Sequence, residues 1–272
     1  TKDNQYKYYI RKGILRFVPS SNYSNNFGKQ WTIFRQTQLD SYSKIPISDN
    51  RFFKATNWSK QDLRNKLVLD VGCGAGRFAE IALKAGANLI AIDYSDAVES
   101  AYKNLSSYPN LSIIKADLYS LPFKSEVFDY VYSLGVLQHT PDVEKAFSCL
   151  PIMVKPGGKL CVDYYWKRFL TMMHAKYLFR PITKNISHEN LLKIIKLVLP
   201  TLLYISNIFY KIPIINKVLQ RTIPIANYNG IYPFSKKQHF EWSLLDTFDM
   251  LSPKYDNPQR AHDVKKWFLQ HK

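Results

Sequence analysis

Residues 66–76 read Lys66-Leu67-Val68-Leu69-Asp70-Val71-Gly72-Cys73-Gly74-Ala75-Gly76, an apolar run that closes on an acid and then on three alternating glycines. A short apolar run bounded by turn residues predicts a buried strand, here Lys66–Val71, entering a tight turn. Gly76–Ala85 (GRFAEIALKA) then sets Phe78, Ile81, Ala82 and Ala85 at helical spacing, with Gly86 as the stop. Glycines at a strand-to-helix turn let the backbone approach a ligand closely, and the helix start offers unpaired N–H groups. A dinucleotide fingerprint, G-x-G-x-x-G, would need Gly or Ala at position 77, where Arg77 stands; the pattern is G-x-G-x-G.

Outward from this turn the same alternation continues. Asn88–Asp93 predicts a second strand and Asp96–Leu105 a second helix, followed by strands at Leu111–Ala116, Phe128–Ser133 and Gly158–Tyr165, the last after a Lys155-Pro156-Gly157-Gly158 turn. Short strands alternating with helices imply an α/β fold: a Rossmann-like, doubly wound, mostly parallel sheet with helices on both faces. Ligands of such sheets bind beyond the carboxyl ends of the strands. Asp93, 21 residues after Gly72, ends the second strand, where a carboxylate can accept from both hydroxyls of a ribose. Asp117 follows the third strand and could receive an adenine amino group, and the fourth strand leads to Gly135-Val136-Leu137-Gln138-His139. Each acid alone reads as a helix cap or turn residue. Together, at consecutive strand ends, they form a constellation.

LDVGCGAGR, AIDYS, ADLYSLPF, FDYVYSLGVLQHTPD and KPGG, spread over about residues 64–165, resemble the class I S-adenosylmethionine-dependent methyltransferases of the type-11 domain family. The resemblance implies S-adenosylmethionine as cofactor and S-adenosylhomocysteine as product. It implies backbone at Gly72, Gly74 and Gly76 facing the methionyl part, Asp93 holding the ribose and Tyr94 beside the adenine. Asp117 and Leu118 would contact the adenine, Ser133 would line the methionine pocket, and Asp70 would order the loop and the cofactor's amino group. The lead-in (GILRFVP, NFGKQW, QLDS) and the tail from Glu241-Trp242 to Asp256 resemble a subgroup often associated with surface-polysaccharide and related pathways. The cysteine-bearing N-terminal segment common in that subgroup is absent. The last two strands of the fold are expected where the chain stops at Lys272; either they are missing or the sheet is completed another way.

Four segments are therefore expected: a lead-in with a helix around Lys29–Leu39 over the cofactor site (1–63), the cofactor-binding core (64–165), a helical cap (166–235) and a C-terminal segment packing back on the core (236–272). Pro181, Pro200, Pro213 and Pro224 are expected to break the cap into short helices, and Leu191, Leu192, Ile194, Ile195, Leu197 and Val198 to form a buried cap helix, the alternative being a membrane interface edged by Lys193 and Lys196. Trp31 and Arg35 share a face of the lead-in helix, Trp31 for packing and Arg35 for a carboxylate or phosphate.

The net charge of +17 is uneven. Residues 1–66 carry 13 Lys and Arg against 4 Asp and Glu, residues 67–163 carry 8 against 11, and residues 164–272 carry 17 against 6. The excess lies on the flanks, where it either reflects composition bias or attracts an anionic partner. An apolar fraction of 46% excludes a disordered chain, and three cysteines without C-x-x-C give neither a disulfide framework nor a zinc site. No metal is expected. The polar first residues lack a secretory signal, and the longest uncharged apolar run, Leu197–Tyr210, is too short to span a bilayer. The expected location is cytoplasmic, with peripheral membrane contact left open.

The expected function is methyl transfer to a small-molecule acceptor, a sugar-linked or lipid-like hydroxyl or amine, aligned by the protein beside the cofactor. His139, just past the fourth strand, is the candidate general base, with His174, His239 and Glu241 behind it. The alternatives are an RNA methyltransferase using the basic flanks and a non-catalytic cofactor-binding partner protein.

Overall fold

The computed structural model describes residues 8–19, 22–209, 212, 218–219 and 221–271. The first strands are β1 (Tyr9–Arg11) and β2 (Ile14–Arg16), followed by α1 (Asn25–Ile33), α2 (Asp40–Ser43), α3 (Ile47–Thr56) and α4 (Lys60–Leu63). The alternating stretch runs β3 (Leu67–Val71), α5 (Arg77–Lys84), β4 (Asn88–Asp93), α6 (Ala97–Leu105), β5 (Leu111–Lys115), β6 (Phe128–Ser133), α7 (Val143–Ser148) and β7 (Val154–Val162). Next come α8 (Phe169–Met172), α9 (Ala175–Thr183), α10 (His188–Phe209), α11 (Lys236–Leu251) and α12 (Ala261–Gln270). The chain divides into two compact units: Thr1–Trp166 with Tyr255–Lys272, and Lys167–Lys254.

In the first unit one seven-stranded sheet runs in the order β1-β2-β5-β4-β3-β6-β7, parallel throughout except that β1 pairs antiparallel with β2. Side chains alternate across the strands, so β3 feeds both faces. Val68 packs with Phe52, Ile81 and Ala101 of α3, α5 and α6 on one side. Leu69 and Val71 pack with Phe147 of α7 and with Val264 and Trp267 of α12 on the other. This is the doubly wound α/β arrangement expected. Within it, KPGG is not a turn preceding the last strand: β7 begins at Val154, which pairs with Phe128, and pairing resumes at Lys159 opposite Tyr130. The extra residues bulge out of the ladder, with Gly157 at φ 77°.

The lead-in helix also sits earlier than expected. α1 ends at Ile33, where Phe34 buries and turns the chain, so Arg35 lies beyond the helix that carries Trp31. The preceding residues form the β1–β2 hairpin, which extends the sheet beside β5. Its anchor is ionic: fully buried Arg16 donates to Asp96 (2.8 Å) and Glu99 (2.8 Å), and fully buried Lys115 donates to Asp96 (2.7 Å). Lys12 completes the set on Glu99 at 2.6 Å. Burial would raise the Asp96 and Glu99 carboxyls, but the hydrogen bonds and charges of Lys115 and Arg16 on Asp96, and of Lys12 and Arg16 on Glu99, outweigh it and hold both below the usual range.

In the second unit α9 and α10 pack on α11. The division differs from the one expected: α11 belongs here, because its buried Trp242, Leu244, Leu245 and Phe248 are apolar partners for the helices before it, and only 255–272 return to the first unit. Proline does not fragment α10. The helix runs unbroken through Pro200, giving up the bond to the carbonyl of Lys196 while Leu199 and Leu203 stay buried on either side. Pro181 likewise lies inside α9, whereas Pro213 and Tyr210 lie outside the described residues. The expected buried helix is half buried: Leu191, Leu192 and Ile195 are covered, while Ile194, Leu197 and Val198 are exposed. By length and composition α10 could cross a membrane, with a mean hydropathy of 1.6 over its most apolar window. The uncharged run alone missed this because the helix extends past Lys196 and Lys193.

The ion cluster yields a stability prediction. Asp96→Ala takes the carboxylate from fully buried Lys115 and leaves fully buried Arg16 with Glu99 alone, and should lower the unfolding free energy by about 3 kcal/mol. Arg16→Met should cost less, because Asp96 keeps Lys115 and Glu99 keeps Lys12. Both carboxyls are depressed, so their contribution is present above about pH 4 and is lost as pH falls through the lower native values. Urea unfolding against pH should show a shallower acid limb in the Asp96 variant.

Candidate active site

The turn after β3 is built from its glycines. Gly72, Gly74 and Gly76 have φ of 85°, 55° and 93°, a region that L side chains rarely adopt. A Cβ on Gly72 would stand 2.4 Å from the Val136 side chain, and one on Gly74 would meet the Trp31 indole at 3.0 Å. Gly72 and Cys73 both donate to the carbonyl of Ile92 (2.8 and 2.9 Å), and Gly74 donates to Asp93 Oδ2 at 2.9 Å. Asn104 on α6 donates to the carbonyls of Ala75 and Arg35, tying the turn to the lead-in. Arg35 donates to Asn104 rather than to the acid or phosphate expected for it.

The acids lie where the strand reading put them. Asp70 is buried at the end of β3 with Oδ2 lacking a hydrogen-bond partner, and burial pushes its carboxyl up to about 8, with the Tyr132 hydroxyl partly opposing this. Asp93 ends β4; desolvation raises its carboxyl against the bonds from Ser95 and Gly74. Its Oδ1 accepts from the Ser95 amide and hydroxyl (2.8 and 2.7 Å). Asp117 caps the short turn Leu118–Ser120 by accepting from the Tyr119 amide at 2.9 Å. Ser133 is fully buried and donates to the carbonyl of Val71 at 2.9 Å, holding β6 to the base of the turn. Asp129 sits at the opposite end of β6, bound by the Leu67 amide and Lys155, and is structural.

His139 is buried, and its Nδ1 lies 3.0 Å from the carbonyl of Tyr255. A carbonyl only accepts, so Nδ1 carries a proton, and in the neutral ring the lone pair is on Nε2. The ring packs against Phe27 (5.3 Å between centroids) and Tyr165 (5.7 Å). Beside Tyr94 stands Tyr23 at 5.1 Å, itself 5.6 Å from Tyr255, and Asn22 donates to the Tyr94 carbonyl at 2.8 Å. The sequence reading missed Tyr23, Phe27, Tyr165 and Tyr255. The only local signal was aromatic richness, since Tyr23 and Tyr255 meet through the fold alone. His174, His239 and Glu241 belong to the second unit and are used there: His174 caps α9, His239 meets Asn227 at 2.9 Å, and Glu241 faces Lys237. Among the described residues no group of His, Cys, Asp and Glu is arranged to hold a metal.

The orphaned Asp70 oxygen, the Cβ-free turn and the remaining lone pair of Asp93 fit a ligand carrying a cationic amino group and vicinal hydroxyls. S-Adenosylmethionine has both. A carboxyl with a raised native pKa holds its proton in the folded chain while the unfolded chain loses it. Asp70 therefore makes the unfolding free energy fall as pH rises from about 4 to about 8. Asp70→Asn should flatten that decline, which chemical denaturation at a series of pH values would read directly.

Residues 69–162 match the family model described as a methyltransferase domain. The ubiquinone biosynthesis O-methyltransferase of Coxiella burnetii is 32% identical over 129 residues, 45% of this chain and 55% of that protein. The sterol 24-C-methyltransferase of Saccharomyces cerevisiae is 37% identical over 108 residues, 38% of this chain and 28% of that protein. The matched stretch thus spans about half of the first relative and under a third of the second. The solved structure of the CurJ carbon methyltransferase superposes with a TM-score of 0.41 at 20% identity, covering 52% of this chain and 40% of that one. The family uses S-adenosylmethionine. Residues 69–162 are a methyltransferase domain of the class I, S-adenosylmethionine-dependent family.

Proposed function

We propose that the protein transfers the methyl group of S-adenosylmethionine to a small-molecule acceptor, a lipid-like or sugar-linked hydroxyl or amine. When bound, the cofactor supplies an electrophilic methyl on a sulfonium. The glycine turn would take the methionyl part, Asp70 its amino group and Asp93 the ribose hydroxyls. Tyr94, Asp117 and Leu118 would flank the adenine, and Ser133 would brace the wall through Val71. The observation that carries the acceptor side is His139, held inside an aromatic wall with Nδ1 fixed on the carbonyl of Tyr255, so that the lone pair of its neutral ring is on Nε2. A hydroxyl or amine acceptor must shed a proton, and Nε2 is the group able to take it. The aromatic rings would exclude water from the methyl's path and give a lipid-like acceptor an apolar seat. The two curated relatives, named for ubiquinone biosynthesis and for sterol carbon 24, support a small molecule rather than RNA.

The test is label transfer. The chain is incubated with tritium-labelled S-adenosylmethionine and with separated solvent-extractable, water-soluble and RNA fractions of a cell extract. Label should enter one of the small-molecule fractions; label in RNA alone would overturn the reading. His139→Ala should cut labelling about a hundredfold or more while leaving cofactor affinity within a few-fold. Undiminished labelling would remove His139 from the chemistry.

A further inference from the structure

The second unit exposes an unusual share of apolar side chains. It holds about a third of the chain, yet 15 of the 25 exposed large apolar side chains among the described residues fall within it. On α10 they form a stripe: at 100° per residue Ile194, Leu197, Val198, Tyr204, Ile205 and Ile208 fall on one face, with Leu197 and Val198 repeated seven residues on as Tyr204 and Ile205, away from the face that packs on α11. Leu197 is 80% exposed and Ile208 54%. Phe169 on α8 and Leu178 and Ile182 on α9 are exposed as well. A stripe of this kind in water calls for a partner.

Charge selects the partner. Residues 167–235 carry 10 Lys and Arg against a single acid, Glu189. Lys184, Lys193, Lys196 and Arg221 are exposed and have no acidic partner among the described residues. At 100° per residue, Lys193 and Lys196 flank the exposed stripe along one edge, between it and the buried face. Cations edging an apolar stripe match a bilayer surface bearing anionic headgroups, with the aliphatic side chains at acyl-chain depth and the ammonium groups at the phosphates. A second copy is a poor match, because a two-fold contact through this face would set Lys193 and Lys196 near their own equivalents. A bilayer-spanning pose is disfavoured too, since it would pull Leu191, Ile195, Leu199 and Leu203 off α11.

We infer that the second unit docks on anionic lipid bilayers through the exposed face of α10. The inference is independent of the methyl-transfer reading and holds whatever the acceptor is. It is tested by co-sedimenting the full chain with vesicles of phosphatidylcholine alone and with vesicles one third phosphatidylglycerol. Binding is expected to the anionic vesicles and not to the neutral ones, and it should weaken as salt rises. Lys193→Gln and Lys196→Gln should each reduce it about fivefold. Leu197→Ser with Ile208→Ser should reduce it further, with unchanged far-ultraviolet circular dichroism showing that the helix persists. Three results would overturn the inference: no binding of the folded wild-type chain to either vesicle, equal binding to both, or a dimer in solution that the Leu197→Ser, Ile208→Ser variant dissociates.

Discussion

The hydrogen bond from the Gly74 amide to Asp93 Oδ2 joins the glycine turn to the end of the neighbouring strand, and the site's geometry follows from it. With the Ile92 carbonyl accepting from Gly72 and Cys73, it clamps the turn to β4 through three hydrogen bonds. The clamp needs positive φ at three alternating positions, so only glycine serves there without strain. Each such bond is worth only about 1 kcal/mol net. Packing adds to them: Val136 stands close over Gly72, the Trp31 indole over Gly74, and Asn104 holds the carbonyl of Ala75.

The electrostatics divide the first unit in two. At the hairpin edge, buried Arg16 and Lys115 meet Asp96 and Glu99, and charge is matched by charge. At the carboxyl ends of β3 and β4, Asp70 and Asp93 form no ion pair among the described residues, and desolvation raises both carboxyls, at Asp93 against its hydrogen bonds and the charge of Lys115. Unmatched carboxyls around a backbone cradle favour a ligand that brings its own positive charge, as a sulfonium with an amino group does. The basic excess of the chain lies elsewhere in the sequence, before residue 67 and after residue 163.

Strands β3 to β6 were legible because each is a short, apolar-rich run closed by a turn, and the site acids were legible because they stand at the ends of β3, β4 and β5. The start of β7 was not, because Lys155-Pro156-Gly157-Gly158 reads as a turn and forms a bulge. Nor was the hairpin. Its strands carry Arg11 and Arg16, and the residue that makes a buried arginine tolerable, Asp96, lies 80 positions away. The aromatic wall escaped for the same reason, since Tyr23 and Tyr255 come from opposite ends of the chain. On α10 the periodicity was plain but ambiguous: both faces are apolar, and nothing local says which one α11 covers.

The central claim is that the glycine turn and the acids beside it form a seat for the cofactor. Calorimetric titration of the intact chain with S-adenosylhomocysteine tests it most directly. The account predicts one site on the wild-type chain and an affinity at least about tenfold weaker for Asp93→Ala, the loss expected when hydrogen bonds to a charged acceptor are removed. A folded wild-type chain that binds nothing, or an Asp93→Ala variant that binds as well as wild type, would contradict it.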